Sequence, residues 1–185
     1  VGRYILNELE RRGHTVVCLD LHAAPQFGGA EWIEADLAKI NGDRIGEVEA
    51  ICHVGASIST GTYYSDYEAC LKSNMVGTAR LVKWAIKHKV ERFVYTSSAG
   101  LYSRPISILP VREDAEIKAP NAYLLSKLFC ELLLKSQDVQ SVLSIWVLRL
   151  ASPYGPGQRP GSVLPIFIRN VLSNEPIRIV GDGTR

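Results

Sequence analysis

The sequence predicts an α/β protein built on a doubly wound parallel sheet with helices on both faces. Short apolar runs, "HTVVCLD", "EWIEADL", "EAICHVGA", "RFVYTSS" and "VLSIWVLRL", alternate with stretches of helical periodicity. Strands that read as near-continuous apolar runs are those covered on both faces of a parallel sheet. Small, hydroxyl-bearing or acidic residues follow these runs, at the strand tips where such sheets bind ligands.

Taken in order, "VGRYILNELERR" sets Tyr4, Ile5, Leu6 and Leu9 on one side of a helix that Gly13 stops. The strand ending at Asp20 follows, then the strands ending near Asp36 and at His53–Val54. The polar loop "SISTGTYYSDY" leads to a helix from about Tyr67 to His88, and "RFVYTSS" is the next strand. "RPISILPVREDAEIKAPN" is rich in proline and charge and reads as an irregular excursion. A helix carrying Tyr123 then runs to about Lys135, before the strand "VLSIWVLRL". The turn "SPYGPGQRPG", a short helix near Leu164–Leu172, a strand "IRIVG" and a final turn "GDGTR", too short for a phosphate loop, complete the chain.

The bulk composition excludes several functions. At 185 residues the chain has the length of one domain, and its 21 basic and 19 acidic residues give a net charge of +2. No run of one sign marks a nucleic-acid surface, no apolar run is long enough for a membrane span, and no leader pattern opens the chain. Cys18, Cys52, Cys70 and Cys130 lack metal-ligand spacing and read as buried reduced thiols, which favours a cytoplasmic location. His14, His22, His53 and His88 share no ligand pattern either; no metal is expected, and His53 reads as a hydrogen-bonded structural residue near a strand end.

The candidate chemistry lies at the strand tips. An acid such as Asp20, after the strand that follows the first helix, is placed to hydrogen-bond the adenosine ribose of a dinucleotide; its charge repels a 2′-phosphate and favours NAD over NADP. The same acid also suits a solvated turn, as Asp36 suits a cap or an adenine contact. Gly2 is either a helix-start glycine or the third glycine of a phosphate-binding turn, where a missing side chain lets helix and sheet pack closely. Tyr123 and Lys127 are one helical turn apart and share a face. An ammonium beside a phenol favours the phenolate, so the tyrosine is expected to exchange a proton near neutral pH, with Ser98 orienting a substrate oxygen.

With these pieces in order, the chain resembles the extended short-chain dehydrogenase/reductases, in particular the NAD-dependent epimerase/dehydratase group acting on nucleotide sugars. The matching residues are "VG", Asp20 after "VVCL", "ADL", "HVGA", "NMVGT", "FVYTSSAGLYS", "YLLSK", "LRLASPYGPGQ" and "IVGDGTR". The resemblance implies a Rossmann-like sheet lacking its first strand and most of the C-terminal substrate domain. It implies a dinucleotide-binding domain over residues 1–159 and the start of a substrate-binding region over 160–185. It also implies a catalytic trio of Ser98, Tyr123 and Lys127, the last two touching NAD as well. Gly2 would close the pyrophosphate turn, Asp20 and Leu21 would meet the ribose, and Asp36 and Leu37 would flank the adenine. Val54, Gly55 and Ala56 would line the cofactor's path, Asn74 would shape its site, and Ala151 and Pro153 would lie near the nicotinamide.

Departures refine the expectation. Ser152 stands where many relatives carry asparagine, and Leu124 where glycine is frequent. Ala99 and Gly100 replace the acid–base residues of sugar dehydratases, so an epimerase is expected, with a dehydrogenase or reductase of a non-sugar alcohol or ketone as the alternative. A non-catalytic NAD-binding protein is the third reading. The implied assembly is a homodimer, and the 185 residues alone are expected to be inactive.

Overall fold

In the computed structural model the described residues are 1–22, 28–40, 44–58, 67–102, 109–158, 160–179 and 181. Parts of the polar loop (59–66), the excursion (104–108) and the last turn (182–185) fall outside them. The chain forms two compact parts, Val1–Ala151 and Ser152–Arg185.

The first part alternates helix and strand. Helix α1 spans Gly2–Arg11, followed by strands β1 (Val17–Asp20), β2 (Glu31–Glu34) and β3 (Ala50–His53). Helix α2 (Tyr67–Leu71) runs through a π-helical turn, Lys72–Val76, into α3 (Gly77–Lys87). Strand β4 (Arg92–Ser98) ends in a 3₁₀ turn at Ala99–Leu101. Helices α4 (Ala122–Lys135) and α5 (Gln137–Gln140) then lead to β5 (Ser144–Leu150).

All strand pairs are parallel, as the apolar runs require. β3, β4 and β5 make one sheet in that order, with Ile51 opposite Phe93 and Phe93 opposite Ile145. β1 and β2 make a separate pair, with Leu19 opposite Ile33. Among the described residues, β1 is therefore bonded along its β2 edge alone, and β3 along its β4 edge alone.

The core lies between the three-stranded sheet and helices α3 and α4. Phe93 and Tyr95 project from β4 onto Leu81, Val82, Trp84 and Ala85 of α3 and Cys130 and Leu134 of α4. Each fully buried large apolar side chain here contributes roughly 1.5–3 kcal/mol. Leu19, Leu37 and Ile51 pack against the same cluster. Cys70 and Cys130 are buried as expected, whereas Cys52 is exposed, on a strand whose second edge meets no described neighbour; all four thiols are free.

Helix α4 starts where Asn121, in extended conformation, accepts a hydrogen bond from Leu124 N on its side-chain oxygen at 2.9 Å. Its buried face carries Leu124, Ser126, Lys127, Cys130, Glu131 and Leu134. Three of those six side chains are strongly polar, which an ordinary core helix avoids.

The second part holds α6 (Val163–Leu172), whose residues include no buried ones. The strand expected at "IRIVG" does not form: Ile177–Ile179 carry no strand, and Val180 lies outside the described residues. A strand needs a ladder partner, and this part contains no other strand among the described residues. No helix among the described residues is long and apolar enough to cross a membrane.

Candidate active site

The motif "NMVGT" explains how the site is framed. The π-helical turn inserts Asn74 toward the loop after β3, where its side-chain oxygen accepts from Ser57 N at 2.8 Å and its amide donates to Ser57 O at 2.9 Å. The same amide donates to Ser126 Oγ on α4 at 2.9 Å, and Ser126 Oγ donates to Tyr123 O at 2.7 Å. One buried side chain thus couples the loop after β3 to the turn that carries Tyr123. Gly77 allows a close approach: a Cβ there would lie 3.1 Å from Leu37 Cβ, so the start of α3 meets Leu37 with little room for a side chain. Thr78 Oγ1 pairs with His53 Nε2 at 2.8 Å. His53 is structural as expected, and burial, followed by the Lys127 charge, lowers its pKa to about 4.

Tyr123 and Lys127 do share a face. Lys127 is 2% exposed, and its Nζ stands 5.8 Å from the Tyr123 ring centroid and 4.7 Å from that of Tyr95. The ammonium donates to Thr96 O on β4 at 2.7 Å, which anchors it beneath the strand tip. Burial brings its pKa down to about 8. The Tyr123 hydroxyl differs from the sequence expectation: its pKa is raised, first by burial and then by the neighbouring Cys70 thiol. Desolvation of a half-buried phenol outweighs an ammonium that is turned toward a carbonyl and a second ring.

Ser98 ends β4 and caps the 3₁₀ turn, its Oγ accepting from Gly100 N at 3.1 Å. A Cβ on Gly100 would lie 3.2 Å from Leu124 Cδ2, so this turn sits directly against the first turn of α4. Ser98, Tyr123 and Lys127 therefore converge where β4 ends and α4 begins.

The other candidates divide by exposure. Asp20 is exposed at the tip of β1 and accepts from His22 N at 3.3 Å; Leu21 is 54% exposed. Asp36 acts as a local cap, accepting from Ala38 N at 2.9 Å and pairing with Lys39 at 3.5 Å. Val54 is half-buried and Gly55 and Ala56 are exposed, with open space where a Gly55 side chain would lie. Gly2 opens α1, and a Cβ there would meet nothing within 4 Å, so its expected close approach is not made to this chain's described residues. Ala151 ends the first compact part; Pro153 belongs to the second, and both are exposed.

Sequence reading missed Ser126 and a second buried network. Glu131, 1% exposed, receives Ser97 Oγ at 2.5 Å and both Arg149 Nε and Nη2 at 2.9 and 2.7 Å. The available signal was an acid one turn beyond Lys127 in the otherwise apolar "LFCELLL".

A parallel sheet gathering a serine, a tyrosine and a lysine at one strand tip defines a Rossmann-like α/β domain. The chain belongs to the NAD dependent epimerase/dehydratase family, which matches residues 1–185. It is 28% identical over 199 residues to a Methanocaldococcus jannaschii protein provisionally named UDP-glucose 4-epimerase, covering 100% of this chain and 64% of the relative. It is 30% identical over 137 residues to the dTDP-glucose 4,6-dehydratase of Streptomyces niveus, covering 73% of this chain and 40% of that enzyme. Among solved structures, MoeE5 in complex with UDP-glucuronic acid and NAD superposes with a TM-score of 0.83 at 30% identity, covering 99% of this chain and 62% of MoeE5. The chain thus spans less than two thirds of the length of these proteins.

Proposed function

We propose that the whole protein is a NAD-dependent epimerase of a nucleotide sugar, acting through a transient keto intermediate. The observation that carries this reading is the convergence of Tyr123, Lys127 and Ser98 at the tip of β4, with the Lys127 ammonium 5.8 Å from the Tyr123 ring. The substrate class is supported by MoeE5, similar to this chain over 99% of its length and bound to UDP-glucuronic acid and NAD.

The residues present fit NAD. Asp20 offers an exposed carboxylate at the tip of β1, suited to two ribose hydroxyls and repelling a 2′-phosphate. The exposed Gly55–Ala56 backbone is fixed from behind by Asn74 through Ser57. Lys127 spends one donor on Thr96 O and has two more N–H groups to offer ribose hydroxyls. Gly2, Leu21, Asp36, Leu37, Val54, Ala151 and Pro153 complete the proposed cofactor contacts.

NAD, when bound, supplies the hydride acceptor. The chain's own residues handle the proton: Tyr123 Oη takes it from the substrate hydroxyl, Ser98 Oγ orients that oxygen, and Lys127 stabilises the phenolate by its charge. Because burial holds the Tyr123 phenol protonated in the cofactor-free chain and Lys127 keeps its charge only below about 8, alcohol oxidation should rise with pH from neutrality to about 8 and gain little beyond it, while ketone reduction should not rise. An epimerase over a dehydratase is favoured by the turn after Ser98. Elimination of water needs an acid and a base besides the tyrosine, and Ala99, Gly100 and Leu101 carry neither.

Replacing Tyr123 by Phe in the whole protein should lower turnover on the order of 10²–10⁴-fold, with NAD affinity retained by calorimetry. Near-normal turnover removes the tyrosine from the reaction. With a UDP-hexose and catalytic NAD, interconversion without net NADH is expected; steady NADH release with a simple alcohol would make the protein a dehydrogenase instead.

The remaining expectations join this reading. Residues 1–159 would form the dinucleotide-binding domain and 160–185 the start of the substrate region of a cytoplasmic homodimer. Exposed Val76 on the π-helical turn and Phe129 on α4, beside Met75 and Ala79, support association through these helices. Sedimentation of the whole protein as a monomer would refute the dimer.

A further inference from the structure

We propose that Glu131 and Arg149 are positioning residues, whose buried ion pair fixes how α4 sits on β4 and β5 and so where Tyr123 and Lys127 stand relative to Ser98. This rests on the reading of those three as reacting groups.

Tyr123, Lys127 and Glu131 follow one another at single-turn intervals along α4, Tyr123 half-buried and the other two buried. The upper tether is Lys127 Nζ to Thr96 O at 2.7 Å; the lower is Glu131, gripped by Ser97 of β4 and by Nε and Nη2 of Arg149 on β5. Two tethers about 6 Å apart along the axis fix both the rotation and the slide of a helix, where one would leave it free to turn. A guanidinium–carboxylate fork adds direction, because two parallel bonds hold only in one plane.

Arg149 also reaches the two chain segments that flank the site. Its Nη1 donates to Glu113 O at 3.1 Å, in the segment that leads into α4. Its guanidinium lies 5.0 Å from the centroid of Tyr102, in the segment that leaves Ser98. Those two segments are joined by Lys118 N to Leu101 O at 2.7 Å and by the bridge between Tyr102 and Ile117. One side chain therefore ties the exit from the serine, the approach to the tyrosine, and the helix itself.

Stability alone does not call for this arrangement. Buried ion pairs often contribute little over an apolar pair of similar volume, because both charges lose their water. Burial pushes the Glu131 carboxyl up in pKa, but the bonds from Arg149 and Ser97 and the charges of Arg149 and Lys135 outweigh it, and Glu131 stays ionised. An ionised, directional, fully partnered pair in place of two leucines points to alignment.

The double replacement Glu131→Met with Arg149→Met in the whole protein tests this, since it keeps volume and removes direction. Expected are an unchanged or higher melting temperature, NAD affinity within about threefold, and kcat lower by about 10- to 100-fold with little change in KM. A stable double variant with kcat within about twofold of the parent overturns the proposal. Should it not fold, Arg149→Lys keeps the charge and loses the fork, and is held to the same kcat criterion per folded molecule. The Tyr123 titration, followed by NMR of ring-labelled tyrosine and assigned with Tyr123→Phe, should move by about half a pH unit or more in either variant. An unmoved titration also overturns the proposal. A parent protein that neither interconverts UDP-hexoses nor oxidises an alcohol with NAD would instead refute the functional reading, and the tyrosine titration would then decide the positioning role by itself.

Discussion

Around the start of α4, Ser126 and Lys127 of that helix and Asn74 of the π-helical turn are buried, and their side chains make hydrogen bonds of 2.7–2.9 Å to Ser57, Tyr123 O and Thr96 O. At the tip of β1, Asp20 and Leu21 are exposed, and Asp20 accepts a single-turn bond of 3.3 Å from His22 N. The two ends of one proposed cofactor site are thus built differently. The end assigned to bond-making is prearranged by buried groups, whereas the end assigned to recognition presents an exposed carboxylate. Perturbation at the first should change folding and chemistry together; perturbation at the second should change affinity alone.

The largest break in that contrast is expected from Lys127→Met. Turnover should fall on the order of 10²–10⁴-fold with the phenolate's charge partner gone. Stability should move the other way. The folded-state pKa of Lys127 is about 8 against an ordinary 10.5, so below about 8 both folded and unfolded chains hold the proton and the full cost of burying it is borne. Between the two values only the unfolded chain holds it, and stability rises with pH. Removing the amine should therefore raise the unfolding free energy near neutral pH by about 1–3 kcal/mol, a gain that shrinks toward pH 10 in denaturant titrations. Loss of stability at neutral pH in this variant would show that the Thr96 tether outweighs the burial cost.

Next comes Asn74→Ala, which strips Ser57 N, Ser57 O and Ser126 Oγ of one partner at once. Unsatisfied buried groups cost about 1–3 kcal/mol each, and with partial relaxation about 2–4 kcal/mol in all is expected by chemical denaturation. Because the same residue backs Gly55–Ala56, NAD affinity should weaken too. Unaltered stability would mean that water replaces the amide.

The smallest effect belongs to the exposed end. Asp20→Asn should leave the melting temperature within error and reduce the preference for NAD over NADP about tenfold, read as a ratio of dissociation constants. A variant that melts differently, or that keeps full selectivity, would blur the distinction between the two ends.

Much of this was legible in the sequence, and the illegible parts have a common cause. Apolar runs located every strand of the first part among the described residues, and the spacing of Tyr123 and Lys127 placed both on one helical face because helix geometry is local. The π-helical turn at Lys72–Val76 was not visible, since it depends on Asn74 finding Ser57 across a loop. Arg149 lies in the apolar run "VLSIWVLRL", and only the pairing of β5 beside β4 brings it to Glu131. "IRIVG" looked like a strand by composition, and composition does not supply a neighbour. The Tyr123 pKa also depends on burial, which local spacing does not report.

Lys127 is attached to the main chain at Thr96 and not to that residue's hydroxyl, which turns instead to His53 O. Every amino acid brings the same carbonyl to that point of the strand. A substitution at position 96 can therefore remodel the surroundings of the amine without removing the oxygen that holds it.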